Sequence, residues 1–259
     1  MAVTTAADRW LRTRTPRPSA DLALVCLPHA GGSASYYRDW GARLPASVEV
    51  RVVQYPGREE RFVDAPVDDM AAMADALVDV LAPLFDRPVA LFGHSMGAAI
   101  GYEVARRCEE RGHPAALLLA SGFPAPHRRA PGDLHTRGDD ALVAEIARVS
   151  GEPVDALAGA ELRELLLPMV RADYRLIERY APAAPPPVTT PIVVCRGDAD
   201  PDVDHAGGEA WGELAASGAL SGHHVFAGGH FYFRRDPTAL LGVVSARLGQ
   251  IRSTTTHQG

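Results

Sequence analysis

Short apolar runs alternate along the chain with longer segments in which apolar residues recur every three or four positions. The runs have the length of buried strands and lie at residues 22–27, 48–53, 89–93, 115–120, 191–195 and 223–227. The segments with helical spacing lie at residues 36–44, 68–82, 98–107, 139–149 and 160–180. Because strands and helices alternate, the pattern predicts an α/β fold with a mainly parallel central sheet and helices on both faces.

One interval between strands is longer than a single crossover helix requires. It lies between Ala120 and Pro191 and contains two of the predicted helices. We therefore expect one domain over residues 1–259, with a mobile lead-in at 1–20, a helical lid insertion at 124–190 and a flexible tail at 253–259.

The second helix of the predicted lid has an apolar stripe and an internal proline. The stripe consists of Leu162, Leu166, Met169, Val170, Ile177 and Tyr180. Pro168 should bend or break this helix, because proline has no N–H and its ring collides with the preceding turn. We expect the segment to move over the site, with Met169 on the pocket wall.

Composition and charge exclude several classes of function. The 259 residues are 47% hydrophobic and carry a net charge of −6, which argues against a nucleic-acid partner. No apolar run approaches the ~20 residues that span a bilayer, and the N-terminus lacks the apolar core of a signal peptide. Cys26, Cys108 and Cys195 lie in apolar surroundings, as reduced structural thiols do. The expectation is a soluble, cytoplasmic protein that binds neither nucleic acid nor membrane.

The strand at residues 89–93 leads directly into Gly93-His-Ser-Met-Gly97, and a helix follows at once. A turn this short strains the backbone at Ser95. Glycine is required at positions 93 and 97, because side chains there would collide with the neighbouring strand and helix. The arrangement predicts a nucleophile elbow that exposes the Ser95 hydroxyl above the sheet.

A serine hydroxyl is a weak nucleophile unless a base takes its proton, and the base needs an orienting acid. His230 follows a predicted strand and the pair Gly228-Gly229, so it is the preferred base among ten histidines. The acid should come from the loop after the preceding strand. Asp200 is preferred there, with Asp202 second.

The same acidic run permits a calcium-binding interpretation. Asp198, Asp200, Asp202, Asp204 and Glu209 have the spacing of ligands in an EF-hand loop. Val203 occupies the position where that loop needs glycine, and a strand rather than a helix precedes the run. We therefore expect no metal site here.

The oxyanion of a tetrahedral intermediate needs N–H donors. One donor should be the backbone N–H of Met96, at the start of the helix after Ser95. The second should come from Pro28-His-Ala-Gly-Gly-Ser33, where Ala30 is preferred and Gly31 is the alternative.

Five stretches resemble the type II thioesterases of polyketide and non-ribosomal peptide biosynthesis, which belong to the α/β-hydrolase superfamily. They run in the family's order and are Leu27-Pro-His-Ala-Gly-Gly-Ser-Ala-Ser-Tyr-Tyr-Arg-Asp-Trp40, Gln54-Tyr-Pro-Gly-Arg-Glu-Glu-Arg61, Gly93-His-Ser-Met-Gly-Ala98, Gly197-Asp-Ala-Asp-Pro201 and Gly228-Gly-His-Phe-Tyr-Phe233. The resemblance covers residues 22 to 248 and implies Ser95 as nucleophile, Asp200 as acid and His230 as base. It implies Ala30 and Met96 as oxyanion donors.

The resemblance further implies hydrolysis of acyl groups from the phosphopantetheine thiol of carrier proteins, which clears stalled or wrongly primed assembly lines. Neither a metal nor an organic cofactor is called for. Two alternatives remain open. A general carboxylesterase or lipase would use the same triad, and a catalytically inactive binder of carrier proteins would keep the fold.

Overall fold

The computed structural model describes residues 6–152, 157 and 159–256. Within these residues, seven strands form one sheet. The strands are β1 (Leu11–Arg12), β2 (Leu22–Leu27), β3 (Val48–Val53), β4 (Val89–His94), β5 (Leu117–Ser121), β6 (Ile192–Gly197) and β7 (Gly222–Phe226). Their order across the sheet is β1-β3-β2-β4-β5-β6-β7, and only β1 is antiparallel to its neighbour. The predicted, mainly parallel α/β sheet is confirmed.

Eight α-helices are described: α1 (Ala6–Trp10), α2 (Trp40–Arg43), α3 (Met70–Leu81), α4 (Met96–Glu110), α5 (Asp139–Ser150), α6 (Ala160–Arg179), α7 (His205–Glu209) and α8 (Thr238–Thr256). Short 3-10 turns lie at Ala34–Tyr37, Glu59–Arg61, Ala82–Asp86, Pro126–Arg128, Leu134–Thr136 and Ala210–Leu214. Across the described ranges, no helix combines the length and apolarity needed to cross a bilayer.

Helices cover both faces of the sheet, which is why its central strands are apolar throughout. In β2, Ala23, Val25 and Leu27 pack into the core under α3 and α4. The alternate residues of the same strand pack on the other face, against α2 and α8. Side chains of a strand point to opposite faces in turn, so a strand that is covered on both sides reads as one unbroken apolar run.

The strand order creates a crevice where the site is expected. From β2 the chain goes to β3 on one side, and later returns to β4 on the other side of β2. The loops that follow β2 and β4 therefore diverge at the carboxyl edge of the sheet, where ligands of open α/β sheets bind. The first loop contains Ala30 and the second begins with Ser95.

The expectation of a mobile lead-in at 1–20 is wrong for its described part. Leu11 pairs with Val53 in the sheet and is buried. Further along, the Arg17 guanidinium donates to the carbonyl oxygens of Leu44 and Val48, both at 3.0 Å. These contacts are to residues distant in sequence, so local composition does not predict them.

The expectation of a flexible tail at 253–259 is wrong for its described part. Helix α8 continues to Thr256, so residues 253–256 of the expected tail are helical. Residues 257–259 lie outside the described part of the chain. The amphipathic pattern fades at the end of this helix, which is why the sequence suggests an earlier end.

The segment 124–190 contains α5 and α6, as predicted. Of the two effects expected of Pro168, a bend or a break, the break does not occur, because α6 continues from Ala160 to Arg179. Leu167 and Met169, on either side of the proline, pack with Leu142 of α5 in a small core of their own. This packing offsets the missing hydrogen bond. Leu162 does not join that core and is exposed.

The three cysteines provide a test of the fold. Cys26, Cys108 and Cys195 are free and buried. Burial raises the pKa of the Cys108 thiol to about 11 and that of Cys195 to about 12, and it raises the pKa of Cys26 further still. Because only a thiolate that reagents can reach reacts, Ellman's reagent at pH 8 should label no thiol of the native protein, and all three in guanidinium chloride. Fast labelling of one native thiol would contradict this core.

Candidate active site

The turn at Ser95 is strained, as the sequence predicts. Ser95 has φ +54° and ψ −122°, between the end of β4 and the start of α4. A Cβ atom on Gly93 would collide with the Gly97 carbonyl, and one on Gly97 would collide with the carbonyl of Leu27 in β2. Only glycine at both positions lets the strand and the helix approach this closely.

Residues beneath the turn hold it in place. The Ser121 carbonyl, at the end of β5, accepts the Ser95 N–H at 2.7 Å. The Ser121 hydroxyl lies 3.0 Å from Nδ1 of His94 and 2.8 Å from the hydroxyl of Tyr232. Burial, and then the nearby His230, hold the pKa of His94 well below its usual range. His94 is therefore a neutral imidazole that is held beneath the turn by Ser121.

His230 and Asp200 form a buried pair beside the turn. Nδ1–H of His230 donates to the Asp200 carboxylate, whose oxygens lie 3.0 and 3.1 Å away. The side chains are 3% and 0% exposed. With Nδ1 held by the carboxylate, Nε2 is the ring nitrogen left to accept a proton. His230 and Ser95 line the same cavity.

The acidic run after β6 does not converge on one point. Its four carboxylates have four different partners: Asp198 accepts the Gly228 N–H, Asp200 faces His230, Asp202 pairs with Arg148, and Asp204 accepts the Gly207 N–H. A calcium loop would aim these oxygens at a common centre. The spacing that resembles an EF-hand is therefore produced by four separate local roles.

Among the residues that the structure describes, two groups of side chains have ligand atoms close enough together to hold a metal ion. They are His205, Glu209 and His223, and Asp200, Asp202 and His230. In the second group, Asp202 is paired with Arg148 at 2.6 Å and Asp200 with His230. A cation there would have to replace both pairs, so the donor set fits a proton-transfer pair better than a metal centre.

Of the two candidate donors in the loop after β2, one N–H is free and the other already has an acceptor. The Gly31 N–H donates to Oδ2 of Asp173 at 2.7 Å. The Ala30 N–H has no acceptor within the described residues. The Met96 N–H lies in the first turn of α4, where backbone donors have no partner inside the helix. Ala30 and Met96 both line the cavity with Ser95, and Gly31 is no longer the alternative donor.

The cavity has a volume of about 390 Å³. Its wall includes the apolar side chains of Phe123 and Ile177 and also the charged side chains of Arg129, Arg148 and Asp202. Arg148 belongs to α5 and its guanidinium binds Asp202, next to the site.

Helix α6 contributes Tyr174 and Ile177 to the cavity wall. Met169, which was expected there, does not line it and packs beside Gly57 instead. Its position on the helix, about two turns from Ile177, places it over the loop after β3 rather than over Ser95.

A buried ion pair links α6 to the loops of the site, and the sequence reasoning missed it. Nη1 and Nη2 of Arg58 donate to the two carboxylate oxygens of Asp173, both at 2.8 Å. One signal was present in the sequence. Asp173 lies at helical spacing from Val170 and Ile177, on the buried face, where a lone carboxylate must have a partner.

The chain matches the thioesterase domain family over residues 23–248. It is 38% identical over 241 residues to a probable cadicidin biosynthesis thioesterase of Streptomyces griseus. The match covers 92% of this chain and 66% of that relative, so this chain spans just under two thirds of the relative's length. It is 37% identical over 225 residues to thioesterase PikA5 of Streptomyces venezuelae, covering 86% and 79%.

Among solved structures, the type II thioesterase BorB from the borrelidin biosynthetic cluster is 39% identical, with a TM-score of 0.80 and coverage of 92% of this chain and 96% of that one. The α/β-hydrolase fold expected from the resemblance is thereby confirmed.

Replacing single carboxylates of the acidic run by amides should show which of them acts on His230. Asp200→Asn should lower kcat for an acyl thioester by about 10³- to 10⁴-fold, because an amide favours the wrong tautomer of His230 and does not stabilise its cation. Asp202→Asn should lower it far less, since Asp202 binds Arg148 and not the imidazole. Steady-state kinetics of the two folded variants compare them directly, and the reverse order would remove Asp200 from the site.

Proposed function

The chain belongs to the thioesterase family, and from this premise we propose that it is a type II thioesterase that hydrolyses acyl groups from the phosphopantetheine arm of carrier proteins in polyketide or non-ribosomal peptide biosynthesis. The observation that carries the proposal is the shared cavity of Ser95 and the buried His230–Asp200 pair. The family and the named relatives supply the substrate class, and the site supplies the chemistry.

Acylation begins when the Ser95 hydroxyl attacks the thioester carbonyl and His230 takes its proton at Nε2. Asp200 holds the ring through Nδ1–H and stabilises the imidazolium that forms. The carbonyl oxygen becomes an oxyanion and accepts hydrogen bonds from the N–H groups of Ala30 and Met96. The intermediate then collapses, the C–S bond breaks, and the departing sulfur takes the proton from His230, which returns the imidazole to its neutral form.

Deacylation repeats these steps with water. His230 removes a proton from water as it attacks the acyl-serine ester, and the second oxyanion uses the same donors. Collapse releases the carboxylic acid and returns the proton to Ser95. A thioester suits this site because its leaving thiol, with a pKa of roughly 8.5, needs little protonation before it departs.

The size of the cavity supports an editing role over release of a finished product. A cavity of about 390 Å³ lies near the lower end of the range of small-molecule pockets, roughly 300–1,000 Å³. The end of the phosphopantetheine arm takes part of that space, which favours a short acyl group over a full-length chain. We therefore propose that the substrates are short acyl groups that have stalled or misprimed an assembly line.

The segment 124–190 is proposed to act as the lid. Its helix α6 places Tyr174 and Ile177 on the cavity wall, and α5 contributes Glu145, Arg148 and Val149. These side chains lie where the acyl group would be enclosed and water excluded, while the triad contacts only the reacting carbonyl. Acyl preference should therefore depend on the insertion.

The central experiment follows acyl release by intact-mass analysis of carrier proteins loaded with acetyl, butyryl and octanoyl groups. The wild-type protein should convert them to the free phosphopantetheine thiol, and Ser95→Ala should not, because the nucleophile is gone while the smaller side chain fits the elbow. A serine-directed fluorophosphonate should label Ser95 alone. Full activity of the alanine variant would overturn the mechanism, and activity on a small aryl ester without activity on carrier proteins would overturn the substrate class.

A larger side chain on α6 should test whether this helix limits the space for the acyl group. Ile177→Phe should lower kcat/KM for octanoyl carrier protein by about tenfold relative to the acetyl form, because the larger ring fills acyl space. Leu165→Phe is the matched control, since Leu165 is exposed on the same helix and does not line the cavity. Equal losses on both acyl groups would leave α6 as structural support only.

A further inference from the structure

One buried carboxylate receives hydrogen bonds from two sides of the site. Asp173 is 1% exposed and belongs to α6, in the proposed lid. Its Oδ2 accepts the Gly31 N–H at 2.7 Å and Nη1–H of Arg58 at 2.8 Å, and its Oδ1 accepts Nη2–H of Arg58 at 2.8 Å. The proposed mechanism assigns no role to this contact.

The Gly31 N–H lies in the turn that carries a proposed oxyanion donor. The Gly32 N–H donates to the His29 carbonyl at 2.9 Å, which closes a turn with Ala30 and Gly31 at its centre. Gly31 has φ +74°, a left-handed conformation that glycine adopts without strain. The Gly31 N–H belongs to the middle peptide of this turn, which joins Ala30 to Gly31, so its contact to Asp173 fixes the peptide that directly follows Ala30.

The segment after β3 holds the same loop at further points. Nη1–H of Arg58 also donates to the Gly32 carbonyl at 2.9 Å. The Gln54 side-chain oxygen accepts the Ala34 N–H at 2.9 Å, and the Tyr55 hydroxyl donates to the Pro28 carbonyl at 3.3 Å. The loop is thus fixed on both sides of Ala30, and Asp173 supplies the contact at the centre of the turn.

We propose that Asp173, held by Arg58, is a positioning residue: it fixes the turn at Gly31 so that the Ala30 N–H is aimed at the oxyanion, and it does so only when α6 is seated on the body. The proposal rests on the proposed function. Donors that are already oriented need no rearrangement as charge develops, which is why they lower the barrier. Asp173 fixes the donor and belongs to α6, a helix of the proposed lid. The seating of α6 therefore encloses the acyl group and completes the oxyanion site at the same time.

A purely structural ion pair would predict a different outcome from a positioning pair. Replacing a buried pair by apolar residues of similar volume commonly leaves stability unchanged. The double variant Arg58→Met/Asp173→Leu therefore should fold, and yet it removes the acceptor of the Gly31 N–H. If the pair is only structural, the folded fraction of this variant keeps full kcat. If it positions the turn, kcat falls in properly folded protein.

The experiment compares kcat, KM and the affinity for a trifluoromethyl ketone analogue of acyl-pantetheine, which forms a tetrahedral oxyanion adduct with serine. Rates are divided by the concentration of sites that the fluorophosphonate labels, so unfolded protein does not contribute. The double variant should lose about 10²-fold in kcat and a similar factor in affinity for the ketone. KM should change less than threefold, because the substrate carbonyl depends little on a donor that acts in the transition state.

Two further measurements complete the test. Arg175→Gln removes another ion pair between α6 and the body, the exposed contact to Asp68 at 2.7 Å, and it should leave all three parameters unchanged. In the wild-type protein the Gly31 amide should exchange with deuterium far more slowly than in an unstructured peptide, a readout that needs no variant. The isosteric Asp173→Asn should show a smaller loss of kcat with the same pattern.

Unchanged kcat and ketone affinity in the double variant, or exchange of the Gly31 amide at the peptide rate, would overturn the positioning role. Failure of the proposed function has a different signature, in which wild-type Ser95 is not labelled and Ser95→Ala keeps its turnover.

Discussion

The site depends on the strained backbone at Ser95. A residue in such a sparsely populated conformation costs about 1–3 kcal/mol, and it persists only where the surroundings over-determine it. The conformation of Ser95 is fixed by the close approach of Gly93 and Gly97 to their neighbours and by the hydrogen bond that the Ser95 N–H donates to the Ser121 carbonyl. Strands β4 and β5 are buried along their whole length, so the strain is held by the stiffest part of the fold.

Three pairs of side chains, which differ in burial, hold the other parts of the site in place around this turn. His230–Asp200 and Arg58–Asp173 are nearly inaccessible, whereas Arg148–Asp202 is about two fifths exposed on both sides. Exposed pairs contribute about 0–1 kcal/mol. Loss of one partner from a buried ion pair such as Arg58–Asp173 costs about 3–5 kcal/mol, yet the intact pair adds little net stability because both charges are desolvated. The main contribution of the buried pairs is therefore to fix the positions of the side chains and loops of the site.

Prediction from sequence succeeded where one local requirement specifies one residue type, and failed where the partner is remote. The elbow, with its strand before and helix after, was readable because glycine alone fits there. The lead-in was misjudged because the pairing of Leu11 with Val53 depends on a strand that comes forty residues later. Pro168 does not break α6, because its neighbours Leu167 and Met169 are held by Leu142 and the helix survives the missing hydrogen bond.

The sequence by itself determined the sheet, the nucleophile elbow and the presence of a histidine and an acid after the last two strands, because these follow from periodicity and from short-range steric limits. The sequence preferred Asp200 over Asp202, and the folded loop decided which carboxylate meets His230, since Asp198, Asp200, Asp202 and Asp204 are chemically alike and the loop aims each at a different partner. Tertiary structure also decided that the Gly31 N–H is taken by Asp173 and the Ala30 N–H left free. The contact between Gly31 and Asp173 joins residues more than 140 positions apart. No local pattern encodes it, because it exists only once α6 lies against the sheet.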